Sequence, residues 1–324
     1  MPPRTPDTRL ATTFIPTEHS HPAPSIDPLK NKLPTPLNVC IIGASRGIGA
    51  GIVDAYAKAL PPGSTLVLAA RQSSAPQVAL VSERAQEINP AIEILSLPID
   101  IIASSSVGKF AADLKQKVKS LDIVVLNSGY SGPVVLNVTE GNPQDFQDVF
   151  DVNVQGTYLV AHHLLPFLIS SNGAKQFLVV SSFAALITSG HIANAAYCIS
   201  KFAQMRIVEF LSGQYGREED GGVVSVAVHP GSVLTEMADS TVPDSYRDCE
   251  SLSFTLLSAK NGPNRRVDLT DDVGLCGAFC VWLSRDRKTW LNGRLVSAKW
   301  DVDELEAKKE EIEGGDLLKL GFRV

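Results

Sequence analysis

Residues 38–60, NVCIIGASRGIGAGIVDAYAKAL, decide the fold. Asn38 to Gly43 is a short apolar run with β-branched residues, which reads as a buried strand. Gly43, Gly47 and Gly49 follow as G-x-x-x-G-x-G, and the apolar periodicity after them predicts a helix over about 48–60. Glycines in such a turn permit positive φ and let backbone N–H groups approach a pyrophosphate at the positive end of the helix. The spacing differs from the commoner G-x-G-x-x-G. Its place between a strand and a helix makes it more than a tight turn. Gly43, Ser45, Arg46, Gly47, Ile48 and Gly49 are therefore candidate dinucleotide contacts.

Outward from this unit the same cadence repeats. Further apolar runs lie near 65–70, 92–99, 122–127, 176–181, 223–229 and 294–298, each apolar on both faces. Helix candidates fall at about 76–89, 104–120, 143–171, 194–215 and 270–284. Alternating strands and helices imply right-handed crossovers and an α/β, doubly wound parallel sheet of about seven strands with helices on both faces. One domain spans residues 38–300. Residues 1–37 hold nine of the twenty prolines and read as an arm that either wraps the domain or is disordered. Residues 231–269, rich in Ser, Asp, Pro and Asn, form a long excursion of the kind that serves as a substrate lid. Residues 301–324 are a charged helical tail with an apolar end.

Composition narrows the function. Of 324 residues, 44% are hydrophobic and 20% charged, enough apolar side chain for a sizeable core. The net charge of −6 argues against a protein that grips nucleic-acid backbones. No run reaches the ~18 apolar residues of a membrane span, and MPPRTPDTRL lacks the apolar centre of a secretory signal. Five cysteines without a C-x-x-C pair imply a reducing, cytoplasmic setting. Cys276 and Cys280 read as buried apolar residues. The adjacent His162 and His163 point to different sides of a helix, so no metal site is expected.

Strand two ends in Ala70-Arg71, with no carboxylate before Glu83. An acidic residue there would bind the ribose 2′-hydroxyl of NAD(H). Arg71 and Arg46 would instead bind a 2′-phosphate, unless both are merely solvated. The cofactor expected is NADP(H), with NAD(H) as the alternative. In AAYCISKF, Tyr197 and Lys201 lie four apart on one helix face. An ammonium there is expected to lower the phenol's pKa from near ~10 towards working range. Ser181 and Ser182 end strand five at the carboxyl edge of the sheet, where open α/β folds bind ligands.

These pieces together resemble the short-chain dehydrogenases/reductases of the single-domain, Rossmann-like branch, over residues 38–300. The matching pieces run in family order. They are GASRGIG, Asp100 in PID, NSG from Asn127 to Gly129, and Asn153 in DVNVQG. Ser182, Tyr197 with Lys201, and PGSVLT from Pro230 to Thr235 complete them. The resemblance implies that Tyr197 is the general acid or base and that Ser182 holds the reacting oxygen. It implies that Lys201 binds the nicotinamide ribose and that Asn153 anchors a water in a proton relay to Lys201. Asp100 would bind the adenine, and Asn127 and Gly129 would line the cofactor. Pro230, Gly231, Val233 and Thr235 would contact its carboxamide and phosphate region. Asn153 also reads as a helix-bending residue, Asp100 as a helix cap before Ser104, and Ser181 as the alternative catalytic hydroxyl. Three departures stand out: Ile42 replaces the usual threonine, Ser128 replaces an alanine, and the loop between Ser182 and Tyr197 is enlarged.

The implied reaction is hydride transfer between NADP(H) and a ketone or secondary alcohol, with NADPH pools favouring reduction. Residues 131–138, 183–194 and the excursion are expected to build the substrate site. Phe183, Leu186, Ile187, Ile192, Met237 and Phe254 are its apolar candidates, and His191 is a possible contact. These features suit a mid-sized lipophilic, polyketide- or terpenoid-like small molecule, and arm and tail are similar to those of fungal members of specialised metabolism. The family's habit is a homodimer or homotetramer through the helices at 143–171 and 194–215. A non-catalytic cofactor-binding scaffold is the rival reading, yet both Tyr197 and Lys201 are present. An epimerase or dehydratase would need a larger substrate domain and a tighter glycine spacing.

Overall fold

Strands whose residues are apolar on both faces can be stable only between two layers of helices. That is the architecture found. The structure, a computed structural model, describes residues 14–188, 194–241 and 269–321. Seven strands form one parallel sheet: β1 (Asn38–Ile42), β2 (Thr65–Ala70), β3 (Glu93–Pro98), β4 (Ile123–Leu126), β5 (Gln176–Val180), β6 (Val224–His229) and β7 (Arg294–Ser297). Their order across the sheet is β3-β2-β1-β4-β5-β6-β7. The order reverses between β1 and β4, so the connections leave their carboxyl ends in opposite directions and open a crevice there.

Among the described residues the helices are α1 (Gly47–Ala59), α2 (Ala75–Ile88), α3 (Ser104–Lys115), α4 (Pro143–Phe150), α5 (Gly156–Ile169), α6 (Ala195–Tyr215), α7 (Glu236–Thr241), α8 (Leu275–Arg285), α9 (Val302–Ala307) and α10 (Lys309–Gly314). One face of the sheet is covered by Ile52, Val53 and Tyr56 of α1, Val81 of α2 and Phe279 of α8. The other is covered by Phe110 of α3, Leu164 of α5 and Val208 of α6. The predicted helix at 143–171 is interrupted: α4 and α5 are joined by a π-helical turn over Asp151–Gln155. Strand β3 differs from the expectation of two covered faces. It lies at the sheet edge, pairing only with β2 among the described residues, and Glu93, Ser96 and Pro98 are exposed.

Helices α1 and α8 pack backbone to backbone. A Cβ on Gly277 would lie 2.6 Å from the Gly51 carbonyl oxygen and 2.8 Å from the Ala55 Cβ. Gly277→Val must push the helices apart, and such overpacking costs ~1–3 kcal/mol. Thermal denaturation should show a Tm lowered by several degrees; an unchanged Tm would mean that the pair adjusts freely.

The described part of the arm is bound to the tail. Ile15, Ile26 and Leu33 are buried in the core. The His19 N–H donates to the Lys299 carbonyl (2.7 Å), and the Asp301 N–H donates to the Thr17 carbonyl (3.0 Å). His19 also pairs with Asp301 at 2.9 Å, and Asp301 caps α9. Beyond α10, the Leu295 N–H donates to the Leu318 carbonyl (3.0 Å), so the tail covers the outer edge of β7.

Candidate active site

The glycine turn is built by close approach. Gly43 and Gly47 have φ of 87° and 53°, and a Cβ on Gly43 would lie 2.7 Å from the Ser128 nitrogen. A Cβ on Gly49 would lie 1.9 Å from the Gly43 carbonyl oxygen. Asn127 fastens the turn to β4, its Nδ2 donating to the Gly43 carbonyl at 3.0 Å. Ile42 is fully buried, so packing replaces the hydrogen bond that a threonine would make. Ile48 packs against the core, and Ser45 stands half-buried beside exposed Arg46. At its N-terminus α1 has no capping side chain and no acidic residue in its first turn. Its first N–H groups are left for an anion, which fits the pyrophosphate of a dinucleotide.

Thr235, after β6, stands over this turn, its Cγ2 being 3.3 Å from a Cβ built on Gly47. The stretch leading to it starts at buried Pro230 and Gly231 (φ 97°) and is held by Asp271. Asp271 accepts from the Ser232 N–H at 2.6 Å, and Val233 bridges Thr270. Lys299 reaches both Asp271 (3.4 Å) and Glu18 of the arm (3.6 Å). The arm is thus tied to the loop that crosses the glycine turn. Asp271 and Lys299 carry no motif and escape a reading of the sequence.

The residues expected at the adenosine end are placed less tightly. Arg46 is ion-paired with Glu236 of α7, both largely exposed. A reading of two arginines awaiting a phosphate did not foresee this carboxylate. Arg71 follows β2 and lines a 420 Å³ cavity with Ser82, Glu83, Ser96 and Pro98, remote in sequence from the Tyr197 helix. Asp100 follows β3; its Oδ1 accepts from the Ile102 N–H at 3.3 Å, and its backbone N–H donates to Ser106 Oγ at 2.9 Å. Ala103 occupies the N-cap position of α3 and makes no side-chain cap, so Asp100 is not the cap of that helix.

Tyr197 and Ser182 meet. The Ser182 hydroxyl hydrogen-bonds the Tyr197 phenol and accepts the Ala184 N–H at 3.1 Å. Ser181 is buried on another side, where its Oγ donates to the Lys201 carbonyl at 3.5 Å. Lys201 lies on the same helix face as Tyr197, its Nζ 5.6 Å from the ring centroid. The expected electrostatics are corrected here. Burial pushes the Tyr197 phenol up to about 12. Burial also brings Lys201 down to about 7, with no neighbouring charge to oppose it. Lys201 donates instead to the Val180 carbonyl (3.1 Å) and to Gln204 Oε1 (2.9 Å). In this arrangement desolvation dominates both groups.

Asn153 sits in the π-helical turn and is fully buried. Its Oδ1 accepts the Tyr130 N–H at 2.9 Å, and its Nδ2 donates to the Tyr130 carbonyl (2.7 Å) and to Ser200 Oγ (2.9 Å). Its side chain thus clamps the loop after β4 to α6. Gly129 lies between them: a Cβ there would be 3.5 Å from both Asn153 Oδ1 and Lys201 Nζ. Asn194 adds a second clamp, its Nδ2 donating to the Ser131 and Pro133 carbonyls at 2.9 Å each.

The apolar candidates divide. Phe183 turns inward and stacks on His229 (4.5 Å) and against Trp300 (5.8 Å). Burial holds neutral His229 at about 4. Ile187 packs with Ala184 and Cys198, Leu186 is half-buried, and Met237 is exposed. His191, Ile192, Phe254 and the excursion from 242 to 268 lie outside the described residues.

Comparison with known proteins agrees with this layout. The family model described as short chain dehydrogenase matches residues 37–245. "Short chain dehydrogenase pgmD" of Aspergillus terreus is 33% identical over 313 residues, covering 94% of this chain and 93% of its own. An "NADPH-dependent pterin aldehyde reductase" of Arabidopsis thaliana is 31% identical over 210 residues, 65% of this chain and 80% of its own. Among solved structures, the oxidoreductase yciK from E. coli superposes with a TM-score of 0.65 at 23% identity, over 83% of this chain and 97% of that one. With a matching model across most of the chain and a relative aligned almost end to end, the chain belongs to the short-chain dehydrogenase/reductase family of nicotinamide-dependent oxidoreductases.

Proposed function

We propose that the chain is an NADP(H)-dependent ketoreductase, acting on the carbonyl of a mid-sized lipophilic substrate of polyketide or terpenoid type. The observation that carries this reading is the Tyr197 phenol on the Ser182 hydroxyl, beside Lys201, at the carboxyl end of β5. The bound nicotinamide supplies hydride. Tyr197, raised to about 12, keeps its proton across the working pH range and offers it to a carbonyl oxygen. Reduction is the direction that this resting state favours, because oxidation would need the phenolate. Ser182 orients the oxygen, and Lys201 lies where it can steady a phenolate as the proton leaves.

NADP(H) is favoured by Arg71 at the end of β2 and by the absence of a carboxylate there. The printed name of the Arabidopsis relative points the same way. The Glu236 carboxylate on Arg46 favours the second reading, NAD(H). A lipophilic substrate is supported by exposed Leu234 and Met237 after β6. Assembly through α5 and α6 is supported by exposed Tyr158, Phe202 and Phe210. No helix among the described residues is long and apolar enough to cross a membrane.

Trp300, one ring from Phe183 and so next to Ser182, serves as a reporter. Titration of the purified protein with NADPH and with NADH, followed by tryptophan quenching, should give tighter binding of NADPH by about tenfold or more. Equal or tighter NADH binding would replace this cofactor assignment with the second reading.

A further inference from the structure

One turn after Lys201, α6 places a glutamine with no exposed surface, Gln204. Its neighbours determine which way the amide points. Thr157 Oγ1 donates its one proton to the Asn153 carbonyl at 2.6 Å. The same oxygen can then only accept, and it accepts from Gln204 Nε2 at 2.8 Å. With Nε2 thus committed, Oε1 faces Lys201 Nζ at 2.9 Å. A flipped amide would set donor against donor at the ammonium and leave Thr157 without its donor. All four residues are buried, so a lost bond is not replaced by bulk water.

We propose that Gln204 is a positioning residue for Lys201: its carbonyl oxygen, locked by Thr157, fixes one of the three ammonium donors so that Nζ stays beside Tyr197. The Val180 carbonyl takes a second donor. The chain Lys201–Gln204–Thr157–Asn153 carbonyl joins the catalytic helix to the π-helical turn through three side chains and one backbone carbonyl. It occupies the backbone carbonyl of Asn153, while the Asn153 side chain is engaged with Tyr130 and Ser200. Because desolvation alone lowers Lys201 and no charged side chain counters it, these neutral acceptors are what stabilise the ammonium. The assignment rests on the Tyr197–Lys201 reading of the site.

The test titrates Lys201 directly in the full-length protein, by NMR with lysine labelled at the ε-carbon. The resonance missing from Lys201→Arg identifies the group. Gln204→Leu should lower its midpoint by about one pH unit or more, since a hydrogen bond to a charged group is removed. Gln204→Glu should raise it by placing an opposite charge there. Thr157→Val, which frees the amide, should move it in the direction of Gln204→Leu, and Thr157→Ser should restore the wild-type value. With a reducible carbonyl substrate, the alkaline limb of kcat/KM should shift with the midpoint. A midpoint unchanged in Gln204→Leu, Gln204→Glu and Thr157→Val overturns the proposal. If wild type turns over and the midpoint does not move, only the positioning role fails. If the midpoint moves but wild type reduces nothing with either cofactor, the oxidoreductase reading fails and the Gln204–Lys201 link stands.

Discussion

Tyr197→Phe lowers kcat by about 10²–10⁴-fold and leaves cofactor affinity near that of the wild type, as expected for loss of general acid help. The substitution deletes one oxygen and keeps the ring, which packs with Ala184, Ile187 and Cys198. Stability changes by no more than one hydrogen bond, ~0.5–1.5 kcal/mol. The glycine turn, Asn127 and Thr235 are untouched, so binding of the dinucleotide persists. Steady-state rates beside tryptophan quenching separate the two effects. Retained turnover would remove Tyr197 from the mechanism, whereas loss of binding would mean that the variant has changed shape. Since burial holds the phenol near 12, the wild-type rate of reduction should show no limb from Tyr197 between pH 6 and about 9. The limb near neutrality should come from Lys201, lowered to about 7, with the ammonium form present on the acid side. Reduction should therefore slow as pH rises through that value.

How much of this was legible in the sequence depended on whether a residue signals through pattern or through packing. The doubly wound parallel class of the sheet follows from alternating runs, because strands apolar on both faces need helices on both sides and parallel neighbours need crossovers. Strand β3 departs from the expectation because its run, IEILSLPI, looks as apolar as the others, and nothing local tells an edge from a centre. The glycine turn was legible because positive φ at Gly43 and Gly47 restricts residue type. Tyr197 and Lys201 were legible as a spacing, but their electrostatics were not. Their spacing implies a lowered phenol, whereas depth of burial raises it. Gln204, Thr157 and Asp271 are silent in the sequence because the Gln204–Thr157 and Asp271–Ser232 bonds span 47 and 39 positions, and an isolated Gln, Thr or Asp carries no periodic signal. Glu236 sits directly after Thr235, but its pairing with Arg46, 190 positions away, is visible only in three dimensions.

Replacing Arg46 and Arg71 together with glutamine should weaken NADPH binding by roughly 10²-fold or more and leave NADH binding within a few-fold. Each guanidinium–phosphate bond contributes ~1.5–3 kcal/mol, and the phosphate is the one group that the two cofactors do not share. The Glu236 carboxylate makes the single variants unequal. In Arg46→Gln the carboxylate loses its partner and stands uncompensated near the glycine turn, repelling any added phosphate. Arg71→Gln removes attraction without creating that repulsion. Arg46→Gln should therefore cost more NADPH affinity than Arg71→Gln. Both groups of the Arg46–Glu236 pair are largely exposed, so its own strength is small and salt-screened. Glu236→Gln should then raise NADPH affinity by several-fold at low salt, because Arg46 no longer divides its charge between carboxylate and phosphate. The gain should shrink at high salt. Paired titrations of the four variants at two salt concentrations decide the matter. An unchanged NADPH-to-NADH ratio in the double variant would refute the phosphate assignment. A Glu236→Gln protein that prefers NADH would show instead that this carboxylate holds α7 over the glycine turn and that the cofactor needs it there.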